Sequence, residues 1–150
     1  MEARLRHIAL DEDEHLAVRR EAIWPLAREG DDQVTALAEG LIHDAEATWA
    51  HDLCCRIAKA HGRQDWADAI HAIATRPREK REAPADSNCC GGSSAPGRDP
   101  AAIVEPNRLA ALRALVALDD PRAKDLLHTA AADEANPHAQ GLARWGLEQL

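Results

Sequence analysis

Apolar residues recur along this chain at helical spacing. Val18, Ala22, Ile23 and Leu26 fall on one face of a helix spanning about residues 17–30. Acidic residues Asp11 to Glu14 precede it, which suits the positive end of a helix. Gly30 follows as a stop. Pro25 lies inside the pattern and predicts a bend or a local break. A second face is made by Val34, Leu37, Ala38, Leu41 and Ile42. Both patterns return further along.

Shifting the first pattern by 32 residues places Ala22 on Cys54, Pro25 on Ile57 and Gly30 on Gly62. A shift of 89 places Arg19 on Arg108, Ala22 on Ala111, Leu26 on Leu115 and Asp31 on Asp120. A shift of 121 places Ala22 on Ala143, Trp24 on Trp145 and Leu26 on Leu147. The second pattern recurs as Trp66, Ala69, Ile70, Ile73 and Ala74, and again as Ala123, Leu126, Leu127, Ala130 and Ala131. Leu5, Ala9 and Leu10 are a partial first copy. Each unit is therefore a helix pair, an outer helix A and an inner helix B. The predicted fold class is all-α, one domain over residues 1–150 holding about four pairs. A repeat of this period built from two helices predicts a stacked α-solenoid.

The repeat resembles the HEAT repeat family, in the short-unit form also seen in phycobilin-lyase-like proteins. The residues that carry the resemblance are Val18-Arg19-x-x-Ala22-x-x-x-Leu26, Ala111-x-x-Ala114-Leu115-x-x-Leu118-Asp119, and Asp119-Asp120-Pro121-Arg122-Ala123 between units. It covers all but one insertion. The second unit departs most, with Cys54 at the small-residue position and His51 where two other units carry Arg. The resemblance implies a right-handed superhelical array and leaves the activity open, because such repeats host many functions.

Composition fits this picture. The chain has 150 residues, 45% of them hydrophobic, with four Trp and neither Phe nor Tyr. Ala fills about a fifth of it. Aromatic and β-branched residues, which strands favour, are scarce. Ala lets paired helices approach closely without loss of helix propensity. The net charge of −8 argues against nucleic acid as the partner. Apolar runs far shorter than a bilayer span argue against a membrane, and the N-terminus lacks the apolar core of a signal peptide. A cytoplasmic location is expected.

Residues 76–106 break the pattern. They hold five of the eight prolines and the run Asp86-Ser87-Asn88-Cys89-Cys90-Gly91-Gly92-Ser93-Ser94. This stretch reads as a flexible loop inserted between helices A and B of the third unit. Cys89 and Cys90 are adjacent thiols on a Gly/Ser backbone. Both can reach one soft ion, as in vicinal thiol pairs that take arsenite, mercury or copper. Incidental exposed cysteines and a redox role are the competing readings. Cys54-Cys55 sits mid-helix, where a free Cys acts as a small core hydrophobe.

Other chemistry is thin. Repeated His-Glu pairs hold the di-iron site of one HEAT-type enzyme, deoxyhypusine hydroxylase; here His43-Asp44 and His51-Asp52 are the nearest matches. Asp31, Asp32, Asp119 and Asp120 read as helix caps or first-turn acids. No Gly-rich phosphate loop, GxSxG or HExxH is present. The preferred expectation is a non-enzymatic scaffold that binds a protein partner on its B helices, with Arg19, Trp49, His51 and Arg108 as contact candidates. Soft-metal, metalloid or redox chemistry at Cys89 and Cys90 is the alternative. No cofactor is expected beyond such an ion, and the oligomeric state is open.

Overall fold

A computed structural model describes residues 1–77, 100–134 and 136–150. It is all-α, and among the described residues there is no strand. The helices are α1 (Glu2–Leu10), α2 (Leu16–Glu29), α3 (Asp32–His43), α4 (His51–His61), α5 (Ala67–Ala74), α6 (Pro100–Ala117), α7 (Arg122–Ala131) and α8 (Pro137–Leu147). One 3-10 turn, Gln64–Trp66, leads into α5. The eight helices among the described residues agree with the expectation of about four helix pairs.

Packing follows the pairs. Within the pairs α1 packs on α2, α3 on α4, α5 on α6 and α7 on α8, and α4 packs at least as closely on α6 as on α3. The second helices of the pairs also pack on one another in chain order, α2 on α4, α4 on α6 and α6 on α8. Among the first helices, α1 meets α3 and α3 meets α5. The core runs between these two ranks. Two repeat positions are buried in every copy named here. Ala22, Cys54, Ala111 and Ala143 are all buried, as are Ala38, Ile70 and Leu127. Each fully buried Leu or Ile adds roughly 1.5–3 kcal/mol. Where α7 and α8 meet, a methyl group on Gly146 would come within 2.8 Å of the Leu127 side chain.

The helix stops repeat too. Gly30 and Gly62 both take the left-handed conformation, at φ 85° and 61°. Asp119 occupies the same position in the third unit at φ 53°. A side chain there strains the backbone, and Gly is the residue that avoids it. At the helix starts, Asp31 accepts hydrogen bonds from the Gln33 and Val34 N–H groups, both at 3.1 Å. Arg6 bonds its other oxygen at 2.6 Å, and the carboxyl is held below its ordinary value, first by Arg6. Asp120, at the same repeat position 89 residues later, accepts from the Arg122 backbone and is likewise lowered by the Arg122 guanidinium.

Helix α2 runs through Pro25, so of the two expected outcomes the local break does not occur. The bounds of the insertion change. The insertion is shorter than residues 76–106 at its far end, because α6 already begins at Pro100 and carries Pro106 within it. Proline at the first helical position forfeits no hydrogen bond, so Pro100 opens a helix rather than a loop. Cys89 and Cys90 lie outside the described residues.

Candidate functional site

The B rank, α2, α4, α6 and α8, carries the contact candidates. Arg19, His51, Arg108 and Gln140 share one repeat position, and all four donate inward. Arg19 Nε bonds the Ala9 carbonyl at 3.4 Å, and His51 Nε2 bonds the Asp44 carbonyl at 2.9 Å. Arg108 Nε reaches the Ala74 carbonyl at 3.2 Å, and Gln140 Nε2 the Ala131 carbonyl at 3.4 Å. The acceptors lie at or just beyond the last turn of the preceding first helix of the same pair. Those carbonyls lack helical partners and form the negative end of a dipole, so a donor or cation there satisfies them.

Two of the contact candidates therefore offer a partner little surface. Arg19 and His51 are buried, at 7% and 1% exposure. Arg108 is half-buried and also pairs with Glu105 at 3.4 Å. Trp49 packs against the core; its ring lies under the Arg19 guanidinium and its carbonyl accepts from Arg20 at 2.8 Å. The physical reason is the demand of four helix ends for donors. Because a carbonyl only accepts, His51 Nε2 carries a proton. Burial pushes its pKa below the ordinary 6.5.

The outward face of the B rank lies one residue further on, turned by about 100°. Arg20 of α2 forms a two-pronged ion pair with Asp52 of α4, one prong at 2.6 Å. Four residues later, Trp24 of α2 stacks under Arg56 of α4, with the guanidinium carbon 4.2 Å from the ring centre. Arg20 with Asp52, and Trp24 with Arg56, are each one period apart. These contacts zip α2 to α4 from outside. The next copies of the Trp24 position are Arg113 and Trp145, both exposed.

Between α4 and α6 this zip is absent and a groove of about 510 Å³ opens. Leu109, Ala110, Ala114 and Cys55 form much of its floor, and Pro106 one edge. Arg56, Lys59 and Arg113 rim it, and none of the three makes an ion pair with a described residue. Asp52, the acid in the lining, is already held by Arg20. The groove is thus cationic on a chain of net charge −8.

Cys54 and Cys55 are core residues, as the sequence predicts. Cys54 Sγ faces the Ala38 carbonyl at 3.5 Å. Burial raises its thiol to about 12 and raises that of Cys55 as well. Among the described residues no group of three or more His, Cys, Asp and Glu side chains is arranged to hold a metal ion. No described helix is long and apolar enough to cross a membrane. No family model, no curated protein and no solved structure matches this chain.

The sequence reading missed the cationic groove. Its signal was present in Arg56 and Arg113, which share a repeat position in neighbouring units.

Proposed function

We propose that this protein is a non-enzymatic, cytoplasmic scaffold. In this reading the four helix pairs stack as a HEAT-like α-solenoid, and a protein partner binds along its B helices, the concave side of such an array. The observation that carries it is the open groove between α4 and α6. Its neighbour, the seam between α2 and α4, is closed by side-chain pairs, so the opening is a local property of these units. Solenoids use extended faces of this kind to hold partners.

The test is affinity capture from the native cell with three baits. These are the natural chain, the groove variant Arg56→Glu/Arg113→Glu, and Lys124→Glu on α7, outside the groove lining. Prey lost only with the groove variant supports the reading. Prey retained by it removes this face from the binding surface.

A second reading rests on the cysteines. With Cys54 and Cys55 buried and their thiols raised, any thiolate chemistry falls to Cys89 and Cys90. That reading is soft-metal or metalloid binding by the reduced pair. Titration with arsenite, comparing the natural chain with Cys89→Ser/Cys90→Ser, tests it; equal binding by both ends it.

A further inference from the structure

The groove between α4 and α6 sets demands on what fills it. Three cations, Arg56, Lys59 and Arg113, stand at its rim with no described acid beside them except Asp52, which Arg20 already holds. Stacking on Trp24 fixes the Arg56 guanidinium without neutralising it. The floor between the cations is apolar, from Leu109, Ala110 and Pro106. Elsewhere among the described residues several arginines are paired with acids: Arg6 with Asp31, Arg20 with Asp52, Arg63 with Asp65, Arg108 with Glu105 and Arg122 with Asp120. A row of unpaired cations over an apolar floor therefore offers two complementary handles, carboxylates for the rim and an aliphatic or aromatic side chain for the floor.

We infer that this groove, with Arg56, Lys59 and Arg113 around Leu109 and Ala110, takes an acidic peptide segment of the partner, one with an apolar residue set between its carboxylates. The inference rests on the scaffold reading and names the chemistry of its partner. Charge complementarity carries the choice. Opposite potentials speed encounter and fix register, and like charges are rejected. The floor decides between an outside segment and a second copy of this chain. In the chain's own acidic run, Asp11 to Glu14, the acids are contiguous, and the exposed apolar neighbours Leu10 and Leu16 lie outside the run rather than between its carboxylates. A polyanion such as nucleic acid fits poorly for the same reason and is repelled by the remaining surface.

The experiment uses the full chain and three short fluorescein-labelled peptides, read by anisotropy. The first alternates Glu and Asp around a central Leu. The second replaces the acids with Lys, and the third with Ser. The acidic peptide is expected to bind, to weaken as salt rises, and to lose affinity when its Leu becomes Ser. Arg113→Glu and, independently, Lys59→Glu are expected to weaken it by about tenfold or more, while Lys124→Glu leaves it unchanged. Arg113 and Lys59 are exposed, so circular dichroism of both variants should match the natural chain.

Equal binding of the Ser and acidic peptides, indifferent to Arg113→Glu, overturns the inference and leaves an apolar partner on the same face. The absence of any peptide binding also overturns it. The scaffold reading then stands or falls on the capture experiment alone. Concentration-dependent self-association, lost on Arg113→Glu and on Asp13→Lys, overturns it in favour of a second copy as occupant.

Discussion

Trp24 and Arg56 occupy one repeat position in neighbouring units, 32 residues apart, and stack with the guanidinium carbon 4.2 Å from the ring centre. The pair shows how the repeat works. Here a repeat position meets its own copy across the seam between α2 and α4, and the side-chain chemistry at that position ties the two helices together. Trp against Arg closes it. Arg56 and Arg113, like charges at successive copies, do not pair, and a surface groove lies beside them where α4 packs on α6.

Breaking the stack should therefore loosen the first seam. Arg56→Ala is expected to cost about 0.5–1 kcal/mol, the size of a cation–π contact at an exposed site. A double-mutant cycle with Trp24→Leu, followed by urea denaturation, measures the coupling. A coupling of zero would mean the stack holds nothing.

The left-handed helix stops predict effects of opposite sign. Asp119→Gly should stabilise the chain by about 1 kcal/mol by relieving the strained backbone at φ 53°. Gly30→Ala, at φ 85°, should destabilise it by about 1–2 kcal/mol. Space is not the issue at Gly30, because nothing lies within 4 Å of an added methyl group. Thermal melts of the two variants test both signs.

His51 gives a pH dependence. Its folded-state pKa lies below the ordinary 6.5, so the unfolded chain takes up the proton first. Stability from this group is fully present above 6.5. It is lost as pH falls below that value, at up to about 1.4 kcal/mol per unit. Gln140 performs the same task in the fourth unit, so His51→Gln should keep the bond to Asp44 and remove this slope. Asp31 and Asp120, both lowered, add a later loss as pH falls below 3.8. Urea denaturation of both chains across this range separates the two stages.

Thiol labelling should divide the cysteines. In Cys89→Ser/Cys90→Ser, the remaining Cys54 and Cys55 are buried and their thiols are raised, that of Cys54 to about 12. A disulfide reagent at mildly alkaline pH should label neither in the folded chain and both in denaturant. Rapid labelling of the folded variant would place one of them in a reactive setting.

The helix pattern was legible because two apolar faces recur at helical spacing. The stops were legible in Gly30 and Gly62, and Asp119 was not, since Asp hides a position that Gly advertises. Prolines misled at Pro100 and Pro106. Proline density reads as loop, yet Pro100 stands where a helix tolerates it. Arg19, His51 and Arg108 were grouped by the repeat, and their bonds to helix-end carbonyls were not legible in it. A repeat position is a register, and one step along a helix swings a side chain by about 100°. The clue was chemical. Arg, His, Arg and Gln at one position have in common a long side chain with a nitrogen donor, which is what a helix end without partners needs.

The central claim is that the partner lies against the α4–α6 groove, and in-cell photo-crosslinking tests it most directly. A photoreactive amino acid is placed at Leu109 on the groove floor and, separately, at Lys124 on α7. The account predicts a discrete crosslinked partner from Leu109, lost when Arg113→Glu is added, and none from Lys124. The same product from both positions, or one from Lys124 alone, would contradict it.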